Sequence, residues 1–434
     1  MYTVFFQTFG CKVNQAETAS LARKFCQKKY KVVKNYSEAD VIFINTCTVT
    51  HRSDAKCRQA IRKFHHHNPR ATIIVAGCYA QVCSEDISNI KGVDYMFGLQ
   101  DKFKLFDYFK KPGKMNIPCI VVNPVTNINQ ALSTQGYFPH RTRALVKIQD
   151  GCNQKCSYCI VPYTRGRARS VKEDEVLNQI TRLIDQGFKE IVLTGVHIGK
   201  YGKDRQEKDS LAKLLEKIIT IPHLGRIRLS SIDAVDISDR LMSIVADSEK
   251  ICNHFHIPLQ SGSDEILRLM NRNYTVKQYI DKIDLLLSNF NMIGLGTDVI
   301  TGFPGESDAE FNDTYNVISK IPFTYLHVFP FSLRKLTRAY SMSERINPAV
   351  SMKRAGKLRK LGAEKKKTFR AQWIDKKVKV LFENQNKNGK IKGLSSEYIP
   401  IRVDFQNELI NKFALVKIDK MEKNYLKATV IKKI

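Results

Sequence analysis

Apolar residues recur along this chain with two periods, and the switches between them lay out its elements. Between residue 2 and about 129, β-branched and aromatic runs at 4–7, 41–45 and 73–76 alternate with helical spacings at 16–28 and 58–64. That alternation predicts a small α/β domain built on a parallel sheet. Residues 123–137 mix Pro, Asn, Thr, Ser and Gln without apolar periodicity, the composition of a linker, and a domain boundary is expected there. Further strands are predicted at 144–149, 191–194, 227–231, 255–258, 292–300 and 325–331, with helical stretches between them such as 173–186 and 276–288. A closed eight-fold barrel takes ~250 residues, whereas about six units fit here, so an open partial (βα)6 barrel is expected. Its reactive groups belong beyond the C-terminal ends of the strands.

Residues 352–373 are helical in period and strongly basic. Lys353, Arg354, Lys357, Arg359, Lys360, Lys365, Lys366, Lys367 and Arg370 face Glu364 as the only acid, while Ala355, Leu358, Leu361 and Phe369 form an apolar stripe. One face is expected to dock and the other to stay cationic. Five short strand-like runs follow, at 377–382, 390–396, 399–403, 413–418 and 427–431, consistent with a small β-barrel of a kind that often holds nucleic acid. The fold class is therefore α/β, with domains expected at 1–128, 138–370 and 371–434.

Charge and cysteine usage narrow the function. The 71 Lys and Arg against 42 Asp and Glu give a formal charge of +29, a field that draws polyanions, although lysine-rich solvation of the surface produces the same total. No run approaches the ~18–20 apolar residues of a membrane span, and Met1 leads into a strand rather than a signal segment, so a cytoplasmic protein without membrane contact is expected. Eleven cysteines in such a chain point to metal or redox chemistry rather than a disulfide framework.

Cys152, Cys156 and Cys159 set three thiols at CxxxCxxC spacing on one loop after the first barrel strand. Thiolates hold iron–sulfur clusters, and a cube of four irons served by three leaves one iron open to a small molecule. The competing reading, structural zinc, needs a closed set of four ligands, and no fourth Cys or His lies close in sequence. Cys11, Cys47 and Cys78 each follow a predicted strand, and in a parallel sheet those ends share an edge, so three distant thiols could converge. Three reduced cysteines capping strands is the plain alternative. Cys26, Cys57, Cys83, Cys119 and Cys252 read as packing residues. His65, His66 and His67 precede Asn68-Pro69 and read as a solvated helix end.

The CxxxCxΦC spacing, with Tyr158 as the aromatic before the last cysteine, resembles the radical S-adenosylmethionine (SAM) superfamily. Beyond it, TFGCKVN (8–14), NTCTV (45–49), AGCYAQ (76–81), QDGCN (149–153), LTGVHIG (193–199), HIPLQSGS (256–263) and TDVITGFPGE (297–306) together resemble the methylthiotransferases, most closely the MtaB-type tRNA branch. The final segment, with GLSSEYI (393–399), is similar to the TRAM module, an RNA-holding barrel.

The resemblance implies two [4Fe-4S] clusters, an auxiliary one on Cys11, Cys47 and Cys78 that carries sulfur and a radical-generating one on Cys152, Cys156 and Cys159 that binds SAM. It also implies methylthio transfer to C2 of N6-threonylcarbamoyladenosine beside the anticodon of tRNA, with a reductant such as flavodoxin or ferredoxin and a sulfur donor as partners. Besides Tyr158, the positions where SAM at the barrel mouth would lie are Gly195, Ser231, Gln260, Asp298 and Gly302, any of which also suits a turn or cap. Where relatives read Arg-Pro-Gly-Thr, this chain has RKLT (334–337), which puts the expected turn in doubt. Rival readings are the same chemistry on isopentenyl-adenosine in tRNA or on a ribosomal-protein aspartate, and a non-catalytic zinc-containing RNA-binding protein. Motifs such as the one holding His197 carry the preference among adenosines.

Overall fold

The computed structural model describes residues 1–128, 130–134, 136 and 141–434. Of the linker read over 123–137, residues 129, 135 and 137 lie outside the described residues, as does 138, where the second domain was expected to begin. The chain divides into two compact units, Met1–Phe138 with Lys147–Lys172 and Ser332–Ser341, and Pro139–Val146 with Glu173–Phe331 and Met342–Ile434.

In the first unit, six strands among the described residues form one sheet in the order β2-β1-β3-β4-β5-β6, all paired in parallel. They are β1 (Thr3–Thr8), β2 (Lys31–Val32), β3 (Val41–Thr46), β4 (Thr72–Gly77), β5 (Val93–Phe97) and β6 (Cys119–Val121). Every residue of β3 and β4 is buried, as central strands covered on both faces require. Helix α1 (Lys12–Gln27) buries a small-residue face with Ala16, Ala19, Leu21 and Phe25. Helix α2 (His51–His67) buries Asp54, Cys57, Ile61 and Phe64 at helical spacing and ends at the three histidines. It starts seven residues before the predicted 58, because its first turns are polar and leave no apolar period; Thr50 supplies the cap by accepting from the Ser53 N–H at 3.2 Å.

In the second unit, two three-stranded sheets carry the partial barrel. Arg143–Lys147, whose Lys147 belongs to the first unit, neighbours Glu190–Thr194 and then Arg226–Leu229; His254–His256 neighbours Gly294–Thr301 and then Tyr325–Pro330. A parallel bridge from Ile227 to Ile251 joins the sheets. The long helix Pro348–Ala371 lies on Tyr325–Pro330, where Gly362 brings its backbone close to Leu326 and Arg359 donates to the Val328 carbonyl at 3.1 Å.

The expected cationic face of this helix needs one correction. Arg354 and Arg370 turn inward and are buried: Arg354 binds Glu306 and Asp308 at 2.7 and 2.8 Å, and Arg370 donates to the Lys423 and Asn424 carbonyls. The remaining Lys and Arg residues of the run stay exposed or half-buried.

The C-terminal segment closes a five-stranded barrel in the order Lys377–Lys387, Lys390–Ser395, Pro400–Asp404, Leu426–Lys433, Phe413–Met421. Its core is Val380, Ile391, Ile401, Ala414, Val416 and their neighbours. It is anchored by two buried guanidiniums of the partial barrel. Arg226 donates to the Leu394 carbonyl at 2.8 Å, Arg228 donates to the Ser395 and Ser396 carbonyls at 2.9 and 2.8 Å, and both bind Glu190.

Candidate active site

The parallel order of β1, β3 and β4 makes their C-terminal ends one edge, and each end delivers a thiol. Cys11 caps α1, Cys47 follows β3, and Cys78 opens the short helix Cys78–Val82 after β4. Gly10, at φ 90°, presses on Cys47 so closely that a Cβ there would stand 2.7 Å from the Cys47 Sγ. The Cys78 Sγ lies 4.0 Å from Oδ1 of Asn14, one turn along the helix that Cys11 caps. The sequence's second triplet therefore converges. Cys11 is exposed, whereas Cys47 and Cys78 are buried. Burial, then Cys78 beside it, pushes the Cys47 thiol up to about 12, and burial raises Cys78 while Arg165 pulls the other way. Thiolates at this edge need positive charge or a metal.

The other triplet sits on the loop 151–160 of the same unit. Gly151, at φ 68°, has no room for a side chain: a Cβ would stand 1.9 Å from the Arg167 carbonyl oxygen. The loop is pinned by the Cys152 N–H donating to the Gly166 carbonyl at 3.0 Å and by the Gly151 N–H donating to Asp150 at 2.9 Å. Cys156 is buried, and Cys152, Cys159 and Tyr158 are half-buried.

A buried charge network links the two loops. Arg165, 2% exposed, donates to Asn14 Oδ1 at 2.6 Å and binds Glu17 on α1 at 3.0 Å and Asp150 at 2.8 Å. Lys102 binds Glu17 at 2.7 Å, Lys147 reaches both carboxylates, and Arg169 stands 3.9 Å from Asp150. Burial alone would raise the Glu17 carboxyl, but Arg165, Lys102 and Lys147 bring it down to about 2. The cations outnumber the two carboxylates, and a buried surplus of positive charge calls for an anion. A cluster held by three thiolates carries net negative charge, so each set of thiols has the donor chemistry for an iron–sulfur group, and the field of Arg165 on Cys78 and Cys11 suits an anion at the first set.

In the second unit, the predicted SAM positions follow successive strands. The Ser230 N–H donates to the Leu193 carbonyl, the Ile232 N–H to the His256 carbonyl and the Gln260 N–H to the Asp298 carbonyl, so Gly195, Ser231 and Gln260 follow the ends of neighbouring strands while Asp298 sits within Gly294–Thr301, each partly exposed. Asp298 accepts from His256 and His327 at 2.9 and 3.1 Å; burial would raise its carboxyl, but the two histidines hold it well below the usual range. Gly302, at φ 71°, is buried against Ser351, and its N–H donates to Glu306. His197 lies 2.9 Å from Asp236, which also binds Lys200 and Lys203.

Sequence reasoning missed the network around Arg165 and also Arg334. Buried Arg334 donates to Asp54 at 2.6 Å and to the hydroxyl of Thr48, next to Cys47. The RKLT turn closes regardless, with the Thr337 N–H donating to the Arg334 carbonyl at 3.0 Å. Signals existed: Glu17 is an acid on the buried face of α1, and Arg165 stands just before a glycine that must take positive φ. Among the cysteines read as packing residues, Cys57 and Cys252 are buried, but Cys26 is exposed, because it falls on the outer face of the last turn of α1.

Comparison with known proteins accounts for this arrangement. Residues 146–318 match the radical SAM superfamily, 3–98 match the uncharacterized protein family UPF0004, and 375–431 match the TRAM domain. Among solved structures, the radical SAM methyltransferase TsrM from Kitasatospora setae has the same fold, with a TM-score of 0.56 at 14% identity over 78% of this chain and 77% of that one. The chain is thus a radical SAM enzyme. It is 38% identical to the threonylcarbamoyladenosine tRNA methylthiotransferase MtaB of Bacillus subtilis, covering 96% of this chain and 94% of that protein, and 36% identical to its namesake in Aquifex aeolicus, covering 94% and 98%. A tRNA-2-methylthio-N(6)-dimethylallyladenosine synthase of Thermoanaerobacter pseudethanolicus is 33% identical over 95% of this chain and 89% of that protein. The chain belongs to the MtaB-type methylthiotransferase family.

Proposed function

We propose that this chain transfers a methylthio group to C2 of N6-threonylcarbamoyladenosine beside the anticodon of tRNA, in the cytoplasm. The observation that carries the reading is the pair of three-thiol sets on one compact unit, joined by a buried guanidinium. Cys152, Cys156 and Cys159 hold the [4Fe-4S] cluster that binds SAM; Cys11, Cys47 and Cys78 hold a second. The bound groups supply an electron to cleave the sulfonium, a sulfur to carry the methyl group and a radical to remove the C2 hydrogen.

The chain's own residues hold and orient. Gly151 lets the cysteine loop fold tightly, and Asp150 fixes its entry through the Gly151 N–H. Asn14 and Arg165 keep the first thiol set in register with the loop, while Arg334 ties down the segment after Cys47. Gly195, Ser231, Gln260 and Asp298 are the positions that would hold SAM, and Tyr158 stands on the cysteine loop. Near-full-length identity to two proteins named for threonylcarbamoyladenosine, higher than to the dimethylallyl synthase, supports the choice of base. A reductant such as flavodoxin or ferredoxin and a sulfur donor complete the reaction.

The test is mass spectrometry of tRNA nucleosides from cells lacking the gene. Loss of 2-methylthio-N6-threonylcarbamoyladenosine, restored by the wild-type chain but not by Cys11→Ala or Cys156→Ala, is expected. An unchanged level would overturn the choice of base, and loss of the isopentenyl product instead would transfer the assignment to that branch.

A further inference from the structure

A cleft of about 320 Å³ in the second unit lies where the C-terminal barrel, the long helix Pro348–Ala371 and the last barrel strand Tyr325–Pro330 meet. Its walls have a chemistry the cluster and SAM sites do not use. Tyr325 and His327 line the cleft and share one face of the strand with Phe329 just beyond it, with ring centroids 5.3 and 6.4 Å apart in succession. His327 and Phe329 are exposed. Beside Tyr325 stands Tyr398, at the tip between Lys390–Ser395 and Pro400–Asp404, its ring 5.7 Å from that of Tyr325 and 4.7 Å from that of His254, with the Arg228 guanidinium 5.2 Å from its centroid.

Tyr398 adopts φ 69°, a left-handed conformation costly for a bulky residue, which the Tyr398 N–H to Ser395 carbonyl bond and the Ile399 N–H to Ser395 hydroxyl bond hold in place. The fold thereby keeps an aromatic ring at the cleft at a conformational cost. Lys366 and Lys392 stand on its rim. Lys366 has no acidic partner among the described residues, and Lys392 only reaches Glu383 at 3.8 Å, a carboxylate already bound to Arg143. Glu397 lines the cleft with 7% exposure, and its Oε2 finds no hydrogen-bond partner among the described residues.

Stackable rings, rim cations and a buried polar group in a space of this size match one ligand class. We infer that the cleft takes a single unpaired nucleotide of RNA, its base against His327 and Tyr398, its phosphate on Lys366 and Lys392, and a base N–H donating to Glu397. Aromatic platforms combined with cations are how proteins hold unstacked bases. The inference rests on the reading of tRNA as substrate and adds a base-reading site to it. Because His327 also binds Asp298, an occupied cleft borders that one of the positions offered for SAM.

The probe is a synthetic hairpin RNA with the sequence of an anticodon arm, carrying 2-aminopurine at each loop position in turn, bound to the full chain without SAM. Anisotropy gives affinity, and quenching of 2-aminopurine reports stacking. One loop position is expected to be quenched, with the quench lost and affinity about tenfold weaker in His327→Ala. Tyr398→Gly, which keeps the required φ accessible, is expected to behave alike, and Lys392→Ala to lower the salt slope of binding by about 0.7. Wild-type binding with affinity and quench unchanged in His327→Ala and Tyr398→Gly would overturn the cleft and leave the tRNA reading standing. Absence of wild-type binding to both the hairpin and whole tRNA would overturn the tRNA reading itself.

Discussion

At the scale of single residues, Arg165 carries the most. Its guanidinium serves Asn14, Glu17 and Asp150 at once, so Arg165→Gln strands two buried carboxylates against the remaining lysines. Breaking such a buried pair costs about 3–5 kcal/mol. Thermal unfolding should show a loss of that order, and Arg165→Lys should recover only part of it, because an ammonium cannot reproduce the planar fork. Gly151 gives a second prediction. Gly151→Ala drives a methyl into the Arg167 carbonyl, so the loop of Cys152, Cys156 and Cys159 should open while Cys11, Cys47 and Cys78 stay in place. Iron analysis after anaerobic reconstitution should then find roughly half the wild-type content, since one of two three-thiolate sets is lost. Full iron content in that variant would contradict the assignment. The thiols themselves were legible from spacing and from their places after strands. The buried charges beside them were signalled only faintly, by Glu17 and Arg165, because a buried Arg or Glu looks like a surface charge until a partner from a distant segment is placed beside it.

At the scale of elements, the strands were the clearest part of the sequence. The run of 41–45 is apolar enough to declare a central strand, and β3 spans Val41–Thr46. Lys31–Val32, Val93–Phe97 and Cys119–Val121 were missed: two- and three-residue edge strands have too few positions to show a period, and VDYMF carries an acid, Asp94, whose partner Lys114 is supplied only by the fold. The helix Pro348–Ala371 was legible as basic but not as divided. Sequence period alone could not tell that Arg354 and Arg370 find acceptors inside, because Glu306 and the carbonyls of Lys423 and Asn424 come from elsewhere in the chain. That division makes a prediction about which cations meet RNA. Neutralising Lys353, Lys357 and Lys360, all exposed, should reduce the dependence of log affinity on log salt by about 0.7–0.9 for each phosphate left without its cation, with little change in melting temperature. Arg354→Ala should instead lower the melting temperature, because it leaves buried Glu306 unpaired.

At the scale of the whole molecule, buried carboxylates set the response to acid. Burial alone would raise Glu190, but Arg228 and Arg226 bring it from 4.5 to about 2, and Glu17 is lowered to about 2 as well. A carboxyl whose folded value is depressed binds fewer protons folded than unfolded, so its contribution is complete above about 4.5 and disappears as pH falls toward 2. Circular dichroism during acid titration should show stability declining through that window. In Glu190→Gln the decline should be shallower and start from a less stable protein.

The same carboxylate governs what can be cut from the chain. Arg226 and Arg228 are satisfied half by Glu190 and half by the carbonyls of Leu394, Ser395 and Ser396, and Gly294 lies flush against the Glu397 backbone. The C-terminal barrel is therefore a keystone rather than an appendage. Stopping translation after residue 371 would strip two interior cations of half their acceptors, and such a fragment should precipitate instead of surviving as a working catalytic core.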